Sequence, residues 1–542
     1  MKIKHIKEAD LVVVGSGIGG LTAAKKASDK GLNVILVTSS KFCGGASYFP
    51  LKGTLGIQTT AHFPEDEKLF QEDINRVGLG MDNPHMVESY IKNIRESIGF
   101  LNEIGFEPWL RDDKRPACFA KYPRDIYLIK DWEKAKTNAS KIFNSIENLK
   151  IEENYKIVKI LQKNNCVDGA IFQDKNGDFL LIKTKVIVMA TGGVAGLYKH
   201  NLYPEDVDGS GHIVALDAGA QVTNMEFIQF IPAFITPKYN TLYGEHTAKY
   251  VTGMFDLNGK LIYPGIDDEK ARKLWIERSA YAPFSCDFES FKIDLAMVNS
   301  IDENNGGVEL KFHPDLYKDS GEFYTVYLNW LKESMNIDMC KDKITIAPFA
   351  HGCNGGVMVD QFGKTSVDGL YAIGELSSSV EGANRLGGNS VGGALVFGNQ
   401  SVLNAYEYLK NLENKDVKNR DTSELLNEFQ VWISEIFGET DIKEDLLEKD
   451  EVVQKIKNTL TNYGLIKRNY ESLKTGLDIL ENLKTKSLDG YFKIEAAKLL
   501  LISMINRNES RGAHYREDFP KRDSIPQRLV VSRKNNSFNI EK

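Results

Sequence analysis

The chain has 542 residues, 42% of them hydrophobic and 26% charged, which is too long for one compact core and too apolar for disorder, so two or three domains are expected. Its net charge of -7 comes from 68 basic and 75 acidic residues with no long block of one sign, which argues against nucleic acid as a partner. The six cysteines (Cys43, Cys118, Cys166, Cys286, Cys340, Cys353) show no CxxC and no metal-ligand spacing. No disulfide frame, metal or iron–sulfur site is signalled, and redox chemistry would need an organic cofactor.

In chain order, the charged start Met1 to Asp10 runs into a four-residue apolar strand, not a signal-peptide core. No later stretch reaches the about 18 to 20 apolar residues that span a bilayer. A cytosolic protein without a membrane span is therefore expected. Asp10-Leu-Val-Val-Val14, Gly15-Ser-Gly17-Ile-Gly-Gly20, Leu21 to Lys30 and Leu32 to Val37 read as strand, glycine turn, helix and strand, a dinucleotide-binding βαβ unit. Gly15 permits the tight turn, Gly17 lets a pyrophosphate approach the backbone, and Gly20 lets the helix pack close to the strand. The second strand ends in Thr38-Ser39-Ser40, where many such folds carry an acidic residue for the ribose. That departure counts against NAD.

Val186 to Gly193 is a second buried strand running into a glycine turn, and Gly369 to Glu375 is a third. After Glu381-Gly-Ala-Asn-Arg385-Leu-Gly-Gly, an apolar helix should begin near Asn389 with its free N–H groups and positive dipole end outward. The less regular stretch from Ile235 to Ile346 reads as an inserted domain. From Asp421 to Arg507, apolar residues recur at helical spacing in Leu425 to Phe437, Val452 to Tyr463 and Tyr470 to Leu483. The tail after Arg516 is polar and proline-punctuated and is expected to drape over the surface.

These signals, in this order, resemble the flavoprotein subunit of fumarate reductase and succinate dehydrogenase, and equally L-aspartate oxidase. The matching pieces are Gly15 to Gly20, Cys43-Gly-Gly-Ala-Ser47, Ala190-Thr-Gly-Gly193, Asp208-Gly-Ser-Gly211, Met225 to Phe230, His351 with Gly355-Gly356, Gly374-Glu375, Gly382-Ala-Asn-Arg-Leu386 and Arg511-Gly-Ala-His514. The resemblance implies an α/β fold. An FAD-binding Rossmann-like domain of glutathione-reductase type (1–234 and 347–415) would carry an inserted α+β capping domain (235–346), a C-terminal helical domain (416–507) and a tail (508–542).

It also implies FAD as cofactor. Gly15, Gly17 and Gly20 would meet the pyrophosphate, Thr191 and Gly192 the adenosine side, Glu375 the ribityl or ribose hydroxyls, and Ser390 and Val391 the flavin ring. Ile18, Thr38, Ser39, Gly45, Ala46, Ser47, Asp208, Gly374 and Asn389 would complete that site. Membrane-complex relatives attach FAD to a histidine shortly after the second strand, and Ser39 to Leu55 contains none; a non-covalent flavin is expected.

For catalysis the resemblance implies that His351 and Arg385 grip a substrate carboxylate, that Arg278 donates a proton, and that Glu245, with His246 or Lys249, reprotonates it. Relatives read Gln-Phe-His-Pro-Thr where this chain has Gln229-Phe-Ile-Pro-Ala233, and Gly244 stands where they keep a threonine. Losing buried donors around a charge costs about 3 to 5 kcal/mol, so an apolar far end and a substrate other than a simple dicarboxylate are expected. The leading expectation is reduction of a 2-enoate with one carboxylate. The alternatives are an L-aspartate-oxidase-like dehydrogenase of an amino acid or carboxylate, and an electron-transfer protein with a decayed site. Electrons would come from a partner protein, free reduced flavin or a direct donor.

Overall fold

The computed structural model describes residues 3–49, 54–60, 64–301, 306–413, 420–438 and 446–542. The architecture is mixed α/β: a Rossmann-type domain, the one expected to bind FAD and so called the FAD domain, carries an inserted cap and a C-terminal helical region. The strand Leu11–Val14 is buried along its whole length, as parallel strands covered on both faces must be. It pairs in parallel with Val34–Thr38 on one side and Ile187–Met189 on the other. Leu149–Glu153 and Leu370–Ala372 extend this five-stranded parallel sheet at its two ends.

The glycine turn behaves as its spacing predicts. Gly15 has φ +112°, and a Cβ on it would lie 2.3 Å from the Ala190 carbonyl oxygen; one on Gly20 would lie 1.9 Å from that of Gly15. The helix Ile18–Asp29 can therefore start hard against the sheet only with glycine at both positions. Beside it runs the 25-residue helix Asn389–Glu413, whose N-terminus opens on the same side of the sheet.

The cap is a six-stranded sheet in the order Thr241–Leu242, Ile228–Thr236, Ile344–Cys353, Val308–Phe312, Val251–Phe255, Leu261–Pro264. Helices Glu269–Arg278, Phe291–Ser300 and Glu322–Ser334 cover it. Two strands, Ile228–Thr236 and Ile344–Cys353, are long enough to serve both cores. Ile228, Phe230, Ala350 and Cys353 pack in the FAD-domain core, while Phe234, Ile344 and Ile346 pack in the cap core with Trp275, Tyr324 and Leu331. Their antiparallel register sets Phe230 opposite Ala350 and Ile231 opposite Phe349.

The helices Thr422–Phe437, Lys449–Tyr463, Tyr470–Glu481 and Leu488–Asn506 form the C-terminal region, the last buried over most of its length. No helix among the described residues is long and apolar enough to cross a membrane.

The tail departs from expectation. Residues Glu517 to Gln527 are exposed, but Val530–Lys534 and Ser537–Glu541 then form a hairpin that pairs with Val222–Thr223 and buries Val531. Just before it lies a knot of buried charge. Arg516, fully buried, donates to the carbonyls of Met504, Ile505 and Arg507 at 3.0, 3.2 and 3.2 Å and so closes the open end of the last helix. Asp518 grips its Nε and Nη2, each at 2.7 Å.

Breaking this pair would strand buried polar groups. Arg516→Met is expected to cost about 3 to 5 kcal/mol of stability, whereas Arg522→Ala, at an ion pair whose arginine is 47% exposed, should cost about 1 kcal/mol or less. Denaturant titration of both variants checks the difference.

Candidate functional site

A cavity of about 680 Å³ runs from the parallel sheet to the cap. Its wall includes Gly15, Gly17, Ile18, Thr38, Ser39, Gly45, Ala46, Ser47, Thr191, Gly192, Asp208, Gly374, Glu375, Ser390 and Val391 of the residues expected at the cofactor, and Glu245, His351 and Arg385 of those expected at the substrate. Three expected residues do not reach it. Gly20 is consumed by packing against Gly15. Asn389 is buried, its amide oxygen accepting from the Tyr90 hydroxyl at 3.3 Å. The third is Arg278.

At the dinucleotide end, the first turn of the helix Ile18–Asp29 carries no side-chain cap on Gly17, and its open N–H groups with the dipole form an anion cradle. The Ile18 N–H donates to Ser47 Oγ at 3.1 Å, which ties the Cys43 to Ser47 loop to that cradle. Thr191 Oγ1 lies on the cavity wall, buried, with no hydrogen-bond partner among the described residues, so the wall offers a polar atom that a bound dinucleotide would satisfy. The residues present fit FAD.

The strand end carries no acidic residue, but a carboxylate from elsewhere reaches it. Ser39 Oγ donates to Asp206 Oδ2 at 2.9 Å, and both line the cavity. Asp206 sits in the turn before the helix Ser210–Asp217, 167 residues from Ser39, and no local signal marks it. Beside it Lys156, from the strand Tyr155–Lys163, bridges Asp208 at 2.7 Å and Asp489 at 2.6 Å. Burial works against its charge, but the two carboxylates outweigh that and hold the ammonium above its ordinary value.

Where the FAD domain meets the cap, Arg385 is fixed before any ligand arrives. Its Nε donates to the amide oxygen of Gln229 and its Nη1 to Ser390 Oγ at 2.9 Å. Gln229 is itself held, its Nε2 donating to Asn384 Oδ1 at 2.7 Å. The Ser390 hydroxyl passes its proton toward Glu381 at 3.2 Å. His351 stands on the same wall, edge-on to Tyr203 with ring centroids 5.8 Å apart. Tyr203, which sequence reasoning missed, donates to Glu375 Oε2 at 2.6 Å, while Glu375 Oε1 accepts from the Cys353 N–H at 3.0 Å. Burial raises the Glu375 carboxyl above its usual range against those two bonds.

Arg278 is the correction. It ends the helix Glu269–Arg278, is 4% exposed, and points into the cap. Nε and Nη2 take a bidentate grip on Asp294 at 2.9 and 3.1 Å, Nη1 donates to the Tyr281 carbonyl, Nη2 also to that of Ala282 at 3.0 Å, and the guanidinium stacks on the Tyr281 ring. The cavity wall at this place is Ser279, Ala280, Ala282 and Pro283. The expectation failed because Asp294, sixteen residues on, sets the side-chain direction.

The far end is mixed. Ile231 and Leu242 line the cavity as apolar groups, but Ala233 lies behind the wall, paired with Leu242 and Ala347. Gly244 lies off the wall too; a Cβ there would come 2.5 Å from the Tyr327 ring, whose hydroxyl takes the Gly244 N–H at 2.7 Å. His246 and Lys249, named with Glu245 from the sequence, line the cavity, and so do Arg111 and Arg115, which the sequence did not suggest; the three cations Arg111, Arg115 and Lys249 share this end. Each is already matched by an acid: Arg111 by Asp113 at 3.2 Å, Arg115 and Lys249 by the two oxygens of Asp319 at 2.5 and 2.9 Å. Among the described residues there is no group of three or more His, Cys, Asp or Glu that could hold a metal ion.

Residues 10–249 and 325–391 match the family described as FAD binding domain, and residues 488–526 match fumarate reductase flavoprotein C-term. An FAD-dependent oxidoreductase of Methanocaldococcus jannaschii is 27% identical over 95% of this chain and 94% of its own length. An L-aspartate oxidase of Clostridium perfringens is 28% identical over 81% and 97%, and a chain of the fumarate reductase (CoM/CoB) of Methanothermobacter marburgensis is 25% identical over 98% of each. In structure, a chain of E. coli quinol fumarate reductase superimposes with a TM-score of 0.79 at 19% identity, covering 100% of this chain and 97% of the other.

A hydrogen bond from a ribose hydroxyl to a charged acceptor is worth about 1.5 to 3 kcal/mol. Asp206→Ala should therefore weaken FAD binding by at least about tenfold, measured by fluorescence titration of the apoprotein. Equal affinities in the two proteins would remove Asp206 from the ribose site.

Proposed function

Because the chain belongs to the FAD-dependent flavoprotein family that includes fumarate reductase and L-aspartate oxidase, we propose that it reduces the C=C bond of an α,β-unsaturated carboxylate other than a simple dicarboxylate. The observation that carries this reading is Arg385. It is a cavity-wall guanidinium held in place by Gln229 and Ser390, at the N-terminal turn of the helix Asn389–Glu413. A planar fork held at Nε and Nη1 keeps Nη2 and the second Nη1 hydrogen, its end-on pair, for a carboxylate through parallel hydrogen bonds, and pre-organisation lowers the ordering cost of doing so. His351 adds a donor from the neighbouring strand.

Bound FAD would supply the hydride; Gly15, Gly17, Thr191, Asp206, Ser390 and Val391 would hold it, without a covalent link to the chain. Polarising the carboxylate makes the β carbon of an enoate electrophilic, and the charge that builds on the carboxylate side during the transfer falls next to Arg385. Ile231 and Leu242 suit an uncharged remainder, since a second carboxylate against them would be desolvated without a donor. A partner protein or a small reduced carrier would renew the electrons, and the absence of a membrane-crossing helix among the described residues fits a reaction in the aqueous phase.

Two outcomes follow. The protein should release intact FAD on acid denaturation; colour that stays with the precipitated chain would exclude a non-covalent cofactor. Reduced wild-type protein should be reoxidised anaerobically by a monocarboxylic 2-enoate with a higher kcat/KM than by fumarate. Arg385→Lys should lose at least about 100-fold in that rate with flavin content unchanged, because lysine has no bidentate fork. Oxidation of aspartate at ordinary rates, with no enoate accepted, would overturn the reading.

A further inference from the structure

We infer that Glu381 takes up a proton from solvent when the bound flavin is reduced, and that it acts through the Ser390 hydroxyl, which then turns its own proton toward the ring. This rests on FAD lying against Ser390, as in the reading above, and is independent of which substrate is reduced. Glu381 precedes the glycine-rich turn Gly382 to Gly388, is 9% exposed and lies behind the cavity wall. It reaches the wall through Ser390, whose hydroxyl donates to Glu381 Oε1 at 3.2 Å while accepting from Arg385 Nη1 at 2.9 Å. Ser390 stands in the first turn of the helix Asn389–Glu413, with Gly387, Gly388 and Val391 beside it on the wall. Open N–H groups, the helix dipole and Arg385 favour negative charge there. Once reduction adds negative charge to the ring, ring and carboxylate compete for the same donors in a place with little water, and neutralising the carboxylate relieves the repulsion.

The hydroxyl gives this uptake a direction. It has one proton and two acceptor lone pairs. With Glu381 ionised, the Ser390 proton is spent on the carboxylate. With Glu381 protonated, its O–H can donate to Ser390 Oγ alongside the Arg385 N–H, and the Ser390 proton is free to face the cavity. The wall so turns from acceptor to donor as the ring turns more electron-rich.

The charged and titratable groups around Glu381 leave it free to do this. Tyr90, from the helix Pro84–Ser97, spends its proton on Asn389 Oδ1 at 3.3 Å. Glu375, from the 3-10 turn Gly374–Leu376, is held by the Tyr203 hydroxyl and the Cys353 N–H. The backbone of Asp82 packs under Gly382, and its carboxyl is attracted by Arg528. Burial raises the Glu381 carboxyl above its usual range against Arg385, its own N–H, the Ser390 hydroxyl and the Val380 N–H, so it titrates nearer neutrality than an exposed glutamate. Below that value the carboxyl is protonated in both redox states, and above the higher value that a reduced ring imposes it is protonated in neither. Between the two, reduction takes up the extra proton.

The step balances. The electron pair enters the flavin with one proton, a further proton from solvent forms the O–H bond of Glu381, and that bond breaks when the electron pair leaves. The reductant is the electrode or dithionite of the test, and the partner protein or small reduced carrier in the cell.

The test is the flavin midpoint potential of the holoprotein across pH, by spectroelectrochemistry, together with the reduced-minus-oxidised infrared difference spectrum. In wild type the slope should correspond to about two protons per electron pair in the middle of the range and about one on either side. In that middle range the C=O stretch of a protonated carboxyl should appear on reduction and shift in deuterated water. Glu381→Gln should keep FAD, show about one proton per electron pair throughout, lose the infrared band and, without a carboxylate to repel the reduced ring, have a higher potential than wild type at alkaline pH. Glu381→Asp should keep the band at a shifted frequency, and serves if the glutamine variant does not hold flavin. A second proton or a carboxyl band that survives in Glu381→Gln, or a wild type with one proton and no band at every pH, overturns the inference. No enoate enters the measurement, so C=C reduction stands or falls separately.

Discussion

The site depends on one piece of backbone pairing, the antiparallel ladder between Ile228–Thr236 and Ile344–Cys353. At one end these strands pack in the FAD-domain core and at the other in the cap core. Gln229 and His351 ride on the FAD-domain end of this ladder, and Ile231 on the step beyond it. Because side chains alternate across a strand, a slip of one residue would exchange the faces and send Gln229 away from Arg385. Burial of Phe230 and Ala350 at the FAD-domain end and of Phe234 and Ile346 at the cap end makes the register unambiguous, and the carboxylate grip inherits its accuracy from it.

Two arginines show how partner geometry divides structural from functional charge. Arg278 has a carboxylate, two carbonyls and an aromatic face around it, so withdrawing it would strand buried charge at a cost of about 3 to 5 kcal/mol. Arg385 is half-buried, and its partners are an amide oxygen and a hydroxyl, neutral groups that fix direction without cancelling charge. Its nearest acid, Glu381, reaches it through Ser390 and is kept above its usual range by burial despite that neighbour. The first arginine holds the cap together; the second stays available.

The sequence carried the parts of this arrangement that are local. The glycine turns and the helix beginning at Asn389 each depend on residues within a few positions of one another, so they could be read from spacing, while Arg385 and His351 were reached through the family resemblance that their local motifs carry. The parts assembled at long range were silent. Asp206 meets Ser39 across 167 residues, and Arg115 reaches Asp319 across 204. The C-terminal hairpin finds its partner strand at Val222–Thr223. Arg278 was misread for the same reason, since its motif was visible but the Asp294 that turns it away was not. The far end misled in both directions: Ala233 and Gly244 matched the pattern of lost donors yet lie behind the wall, and Arg111 and Arg115, which do line it, belong to a segment with no recognisable motif.

That segment gives the cavity a second seam between the FAD domain and the cap. Trp109 Nε1 and the Asp112 N–H donate to Glu322 at 3.2 and 2.8 Å, and Arg115 pairs with Asp319, in each case joining the FAD domain to the cap. A Cβ at Gly321 would fall 2.5 Å from the Arg115 guanidinium carbon, so the cap approaches closely there. This edge is stitched with charge near solvent, where each contact is worth about 1 kcal/mol or less and dissolved ions weaken it, while the ladder on the other side is sealed by apolar burial that salt does not screen. The two sides of the cleft therefore answer to different solution variables, and ionic strength acts on the charged edge alone.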